Sequence, residues 1–231
     1  DQETAIEAIN KGQVFRFLNK PCTEDALRKA LADGMQQYEL ITSERTVLEQ
    51  TVLGFAKILM DVLSLVDPDA FGQATRVREW AKELAEKLEL DFAWDLDMAA
   101  TLAPLGLVAV PPEILKKELE GNPLNEQERE ILQSAPGAGR RLIEAIPRFG
   151  SVADMVYYQN KSYSGEGFPT HDPISGTDIP YGARILRVLS DLAQVSKGAQ
   201  PSPEHVAELS KKEGAYDPIL LDEVVSLWGI E

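Results

Sequence analysis

Histidine and cysteine, whose side chains hold transition-metal ions and serve in acid–base and nucleophilic catalysis, are few in this 231-residue sequence. It has two histidines, His171 in a Thr-His-Asp-Pro loop and His205 near a predicted helix start. The lone Cys22 belongs to no Cys-His arrangement, and no glycine-rich phosphate loop or nucleophilic elbow is present. Asp95 and Asp97 could act in acid–base chemistry, but we favour the interpretation that these two acids stabilise the first turn of a helix. The residue types alone therefore predict no catalytic site.

The elements that must position any site are organised around the apolar stretch from Leu96 to Leu115. Its pattern predicts a helix that breaks at Pro104, crosses a turn of small residues and restarts after Pro111-Pro112. Residues 76–90 predict an amphipathic helix that packs one face on the core. The residues predicted to face inward are Val77, Trp80, Ala81, Leu84 and Leu88.

The apolar stretch resembles the central motif of the HD-GYP branch of the HD phosphohydrolase superfamily. In that motif a helix ends in a metal-binding His-Asp pair, and the metal ions activate water for phosphodiester hydrolysis. The resemblance runs from about residue 51 almost to the C-terminus. The matching residues of the central motif are Ala99, Ala100, Leu102, Gly106 and Pro111.

The positions where that family has metal ligands hold other residues in this chain. Ala103-Pro104 replaces the His-Asp pair, and neither histidine falls on a ligand position. Further family acids align with Ser64 and Ala193. A metal-binding Asp of the family aligns with Ser190, and Asp191 lies one position after it, so Asp191 should face another side of its helix. The resemblance therefore implies no bound metal and no other cofactor. The degenerate family positions are Gln73, Ala103, Pro104, Ala135, Gln159, Asn160 and Ser190.

Two segments of the resembled family are retained. One is a G-x-G-aromatic-Pro loop formed by Gly165, Gly167, Phe168 and Pro169, and the other is residues 179–185, reading IPYGARI. Their presence argues against the metal-free HDOD branch of the same superfamily. The resemblance marks the loop as a candidate ligand-facing loop.

The N-terminal segment predicts a helix, a short strand, an Asn-Lys-Pro turn and a second helix capped by Thr23. This order resembles the last third of a response-regulator receiver domain, although a generic βα unit with a surface lysine has the same order. The resemblance implies that Lys20 contacts a phosphoryl group and that Phe17 is the switch residue. The phosphoacceptor Asp and an N-terminal portion are then expected upstream of Asp1.

The helix that begins at Thr23 continues as a heptad seam, in which apolar residues alternate steps of four and three. The apolar residues of this seam are Leu27, Leu31, Tyr38, Ile41, Leu48, Val52, Phe55, Leu59 and Val62. Gly34 and Arg45 are its exceptions. A seam of this length predicts a parallel homodimer, and a helix buried within its own chain at both ends is the alternative. The predicted dimer seam comprises Leu48, Val52, Phe55 and Leu59.

Composition restricts the partners of the chain. Its 38 acidic and 23 basic residues give a net charge of −15, which repels nucleic acid. A lone cysteine fits a reducing cytoplasm, and no apolar run reaches the length of a membrane span. We predict a cytoplasmic protein that binds neither nucleic acid nor membrane.

Together with these patterns, the two resemblances imply an all-α HD-domain-like helical bundle preceded by a long signalling helix and a small α/β receiver remnant. Residues 1–40 form the receiver fragment and run into the long helix, 41–66 form the coiled-coil linker, and 67–231 form the degenerate HD-GYP-like domain. The predicted function is that of a non-catalytic output module of a response regulator. It would receive its signal from a histidine kinase and bind an unidentified signalling protein, and it could also hold a cyclic dinucleotide without hydrolysis. The alternative is a phosphohydrolase or cyclic di-GMP phosphodiesterase with a rearranged metal site.

Overall fold

A computed structural model describes residue 18 and residues 21–66 and 68–228 of the chain. The chain divides into two compact units, Asp1–Phe55 and Ala56–Glu231. The part that the structure describes consists of helices and connecting loops without a strand, which confirms the all-α fold class. Phe17, Lys20 and most of the predicted strand lie outside the described residues, so the receiver remnant stays a prediction.

Helix α1 runs from Glu24 to Val66 and begins where the sequence predicts. The Thr23 hydroxyl accepts a hydrogen bond from the amide of Ala26 at 3.3 Å, which satisfies one free donor of the first turn. Glu24 and Asp25 place negative charge at the positive end of the helix. The helix ends at Val66, directly before Asp67-Pro68, because a proline disfavours helical geometry in the residue that precedes it.

Side chains of the predicted seam on α1 differ in exposure. Leu31 is 60% exposed and Phe55 is 60% exposed, whereas Val52 is only 7% exposed within the single chain. A partner helix could therefore cover little further area of Val52. Nothing is described of the Leu48 and Leu59 side chains, and the dimer stays a prediction.

The second unit is a bundle of short helices. The predicted break in the apolar stretch from Leu96 to Leu115 is confirmed, because one helix ends at Leu102, a 3-10 helix containing Pro104 follows, and the next helix starts at Pro112. The helices after α1 are α2 (Pro68–Lys87), α3 (Ala93–Leu102), the 3-10 helix (Ala103–Ala109), α4 (Pro112–Leu119), α5 (Glu126–Ile143), α6 (Gly150–Tyr158), α7 (Tyr181–Val195), α8 (Pro203–Ser210) and α9 (Pro218–Leu227).

Helix α2 begins at Pro68 rather than at residue 76, because proline is favoured at the first position of a helix. It ends at Lys87, and Glu89 then adopts a positive φ of 49°. Trp80 is 1% exposed and packs edge-on against Trp228, with ring centroids 5.7 Å apart. The buried face confirms the predicted inward residues Val77, Trp80, Ala81 and Leu84, and Leu88 is half-buried beyond the helix.

The core of this unit lies between α2, α3, α6 and α7. Helix α7 is the most deeply buried, and full burial of one large apolar side chain contributes about 1.5–3 kcal/mol relative to exposure. At the start of α5, Asn125 and Glu128 form the capping box that their spacing predicts, with bonds of 2.9 and 3.0 Å. The fully buried residues of α7 include Ile185, Leu186, Leu189 and Leu192.

Within the described ranges, no single helix has the length and apolar character to cross a membrane. One bent pair of helices, Ala93–Ala109 with Pro112–Glu118, passes that test together by length and composition. The cytoplasmic location stays a prediction.

Candidate functional site

The degenerate family positions come together in the second unit and line one cavity of about 240 Å³, termed the neutral cavity. Ala193, where the resembled family has another acid, lines the same cavity. These positions are far apart in the sequence, so the fold itself brings them together. The neutral cavity is lined by Gln73, Ala74, Val77, Ala100, Ala103, Pro104, Leu107, Leu132, Ala135, Pro136, Gln159, Asn160, Ser190 and Ala193.

A close backbone contact positions one wall of the neutral cavity. A Cβ atom added to Gly106 would lie 2.1 Å from the carbonyl oxygen of Ala135, so only glycine fits there. The 3-10 helix therefore lies directly on α5, and Ala103 and Pro104 face the same cavity as Ala135. Pro136 lies inside α5, where it lacks the amide hydrogen that a helix normally uses.

The end of α6 forms the opposite wall. The side-chain amide of Gln159 donates to the carbonyl oxygen of Val156 at 2.9 Å, which holds it against its own helix. Asn160 follows in the turn, and its carbonyl oxygen would lie 2.5 Å from a Cβ added to Gly167. Gly167 is therefore required for two reasons: the backbone of Asn160 lies too close for a Cβ atom, and Gly167 has a positive φ of 86°.

Lys161 is the next residue, and its side chain is 2% exposed. Its ammonium donates to the carbonyl oxygens of Pro169 at 2.7 Å and Asp172 at 2.8 Å. A buried charge is tolerated when it is hydrogen-bonded, and these bonds tie the loop to the end of α6. Sequence reasoning missed this role, because both acceptors are backbone atoms that only the folded loop presents.

The candidate ligand-facing loop also has two unusual backbone conformations. Gly165 has a φ of 96°, and the peptide bond between Phe168 and Pro169 is cis. None of its four residues lines the neutral cavity. Phe168 instead lines a larger groove on the other side of α5. The structure thus places the retained glycines where the backbone needs them.

Tyr158 fixes the far end of the same loop. Its hydroxyl donates to the carboxylate of Asp172. Burial, which has the largest effect, and the hydrogen bond to Asp172 together raise the pKa of Tyr158 to about 12.

The larger groove has a volume of about 650 Å³ and carries basic and aromatic side chains together with the acidic Glu144. The Arg140 guanidinium lies 4.5 Å from the centre of the Tyr157 ring and bonds Asp154 at 3.0 Å. Arg141 is exposed on the same groove. His171 also lines it, with Nε2 3.3 Å from the Tyr157 hydroxyl. Ala135 lines both the groove and the neutral cavity.

Acidic residues near the predicted site have structural partners. Asp191 points away from the neutral cavity and accepts from the Tyr216 hydroxyl at 2.6 Å and from Lys212 at 3.1 Å, as its offset position predicts. Burial raises the pKa of Tyr216, and so does its bond to Asp191. Asp97 forms two bonds with Arg78, at 2.8 and 3.0 Å, and Asp95 accepts from Ser151.

Two other candidates also serve the fold. His205 accepts from the amide of Ser202 at 3.1 Å and so caps α8. Arg184, from the retained IPYGARI segment, donates to the Ile179 carbonyl at 3.1 Å and to Asp217, which in turn caps α9. The retained segment therefore joins α7 to α9.

The neutral cavity does not fit a divalent metal ion. Its lining contains no ionisable side chain, whereas such ions are held by imidazole and carboxylate groups. Across the described residues, no group of three or more His, Cys, Asp or Glu side chains could hold a metal ion. The lining therefore supports no reaction step that runs through a bound metal.

Comparison with known proteins agrees with this architecture. No curated protein matches the chain. The family described as the HD domain matches residues 57–220, which is most of the chain and nearly all of the second unit. The predicted HD-domain-like bundle is thereby confirmed, and the chain belongs to the HD domain family.

Proposed function

We propose that this chain is the non-catalytic output module of a two-component response regulator, with a degenerate HD-GYP domain. The observation that carries the proposal is the neutral cavity, where the degenerate family positions and Ala193 all have uncharged side chains. Hydrolysis of a phosphodiester at neutral pH needs a strong nucleophile, which metal-bound water would supply. The neutral cavity offers neither metal ligands nor a general base.

The retained loop and the IPYGARI segment support the HD-GYP branch within the HD domain family. Their side chains and glycines maintain the fold in this unit, as Arg184 and Gly167 illustrate. A chain that keeps the fold and replaces the ligands suits a binding role. Its output would be contact with an unidentified signalling protein, and its input would come from a histidine kinase through the receiver.

Phosphodiesterase activity of the purified protein tests the proposal. The protein is incubated with Mn²⁺ or Fe²⁺ and bis(p-nitrophenyl) phosphate, beside an Ala103→Phe variant purified in the same way. We expect no chelator-sensitive hydrolysis in either sample. Equal hydrolysis in both samples comes from a contaminant and agrees with the proposal. Chelator-sensitive hydrolysis that Ala103→Phe abolishes would establish the alternative, a metal-dependent phosphohydrolase with a rearranged site.

A further inference from the structure

We propose that the neutral cavity is a binding site for a small uncharged molecule with an amide or hydroxyl edge. The inference rests on the proposed function, because it requires a site without metal. It adds the chemical class of the ligand that such a site would hold.

Three polar side chains of the neutral cavity have no hydrogen-bond partner in the part of the chain that the structure describes. They are the amide of Gln73 on α2, the amide of Asn160 after α6 and the hydroxyl of Ser190 on α7. The amide of Gln159 is different, because it already donates to Val156. Together the three free groups offer both donors and acceptors. Three separate elements thus present unused hydrogen-bonding groups to one space.

The rest of the lining is apolar. Val77, Leu107 and Leu132 supply the larger surfaces, and alanine and proline residues complete the wall. The volume of about 240 Å³ would hold about eight waters at roughly 30 Å³ each, or one ring-sized organic molecule. An apolar wall with a few convergent polar groups is the usual composition of a small-molecule site.

The absence of charge in the lining selects the class of ligand. Moving an ion out of water into a space without an opposite charge is strongly unfavourable. A phosphate ester, including the two phosphates of a cyclic dinucleotide, would find no cation in the neutral cavity. The basic side chains of this region, Arg140 and Arg141, line the larger groove on the other side of α5. The neutral cavity should therefore prefer an uncharged molecule to an anion of the same shape.

Benzamide and benzoate form a matched pair of probes, because they share a shape and differ in charge. Binding is followed by chemical-shift changes in the protein spectrum, measured for the wild type and for an Arg141→Gln variant. The Arg141→Gln variant removes a cation from the groove and leaves the neutral cavity unchanged. We expect benzamide to bind both proteins with equal, millimolar affinity. We expect benzoate to bind Arg141→Gln at least about tenfold more weakly than benzamide does.

A Ser190→Lys variant should reverse this preference, because it places an ammonium at the cavity wall. If Ser190→Lys does not fold, Gln73→Lys places an ammonium at the same cavity from another helix, α2. Absence of benzamide binding at millimolar concentration would overturn the inference. Equal binding of the two probes to Arg141→Gln, or an unchanged preference in a folded lysine variant, would also overturn it. If benzamide does not bind and the phosphodiesterase assay shows no hydrolysis, only the ligand inference fails. If that assay shows metal-dependent hydrolysis, the proposed function fails as well.

Discussion

Ala103 and Pro104 line the neutral cavity and occupy the positions where the resembled family has its His-Asp pair. A divalent metal needs several ligands at once, and the other positions of this wall are uncharged. We therefore expect an Ala103→His variant to bind no stoichiometric Mn, Fe or Zn. Elemental analysis after dialysis measures this directly, with the wild type as control. One tightly held metal ion per chain in the variant would show that other side chains near the cavity can act as ligands.

Lys161 is the buried residue on which the geometry of the loop depends. Replacement by Met keeps an unbranched side chain that is one atom shorter, and it removes the donor to the carbonyls of Pro169 and Asp172. Loss of these charged hydrogen bonds should lower the free energy of unfolding by about 3 kcal/mol. Urea unfolding of wild type and Lys161→Met measures the difference.

Lys116→Met is the matched control for that substitution, because its side chain is 75% exposed. We expect it to change the free energy of unfolding by no more than about 0.5 kcal/mol. If both variants unfold at the same urea concentration as the wild type, the ammonium of Lys161 does not hold the loop.

Tyr158 gives a pH-dependent prediction. Its pKa rises from 10.0 to about 12 on folding, so the protonated hydroxyl is favoured in the folded state. Its contribution to stability is complete below pH 10 and is lost as the pH rises through about 12. The stability difference between wild type and Tyr158→Phe should therefore shrink from pH 10 to pH 12 in urea unfolding. A difference that stays constant over this range would contradict the assignment.

Among the elements, local sequence signals predict the breaks and caps well. Thr23, Asn125 and Pro104 act on residues within one turn of themselves, so their effects can be read without the tertiary structure. The predicted start of α2 at residue 76 is too late, because the periodic apolar face begins only some way along the helix from Pro68. The bonds of Lys161 could not be predicted, since they depend on how the loop returns to α6.

The contact between the 3-10 helix and α5 makes an element-scale prediction. A Gly106→Ala variant would place its Cβ 2.1 Å from the Ala135 carbonyl oxygen, so the two elements must move apart. Overpacking of this kind destabilises by about 1–3 kcal/mol. Thermal or urea unfolding should show this loss.

Gly150→Ala is its control, because a Cβ added there meets no atom within 4 Å. Gly150 begins α6, and alanine in a helix is more favourable than glycine by up to about 1 kcal/mol. This variant should be as stable as the wild type or more stable. Equal losses in the two variants would mean that the close contact at Gly106 does not restrict the residue there.

At the scale of the whole molecule, the resemblance predicts the HD-domain-like bundle, and the family match over residues 57–220 agrees. The structure adds that the degenerate family positions line one cavity. The hydrogen-bonding state of Gln73, Asn160 and Ser190 could not be predicted, because it depends on side chains from three elements. The larger groove beside α5 could not be predicted either, since Arg141 and His171 are distant in the sequence.

The predicted homodimer can be tested at two neighbouring residues of α1. Ile41 lies on the predicted seam and is 49% exposed, whereas Leu40 lies off the seam and is 59% exposed. Adjacent residues of a helix point about 100° apart, so a two-stranded coil can bury only one of them centrally.

An Ile41→Asp variant should therefore dissociate, while Leu40→Asp should remain dimeric. Two buried copies of one large apolar side chain contribute about 3 kcal/mol or more, so the dissociation constant should rise at least about a hundredfold in Ile41→Asp. Light scattering over a concentration series measures the mass of wild type and of both variants. A wild type that is monomeric at high concentration contradicts the dimer. If instead Leu40→Asp dissociates as readily as Ile41→Asp, the association uses a different face of α1 from the heptad seam.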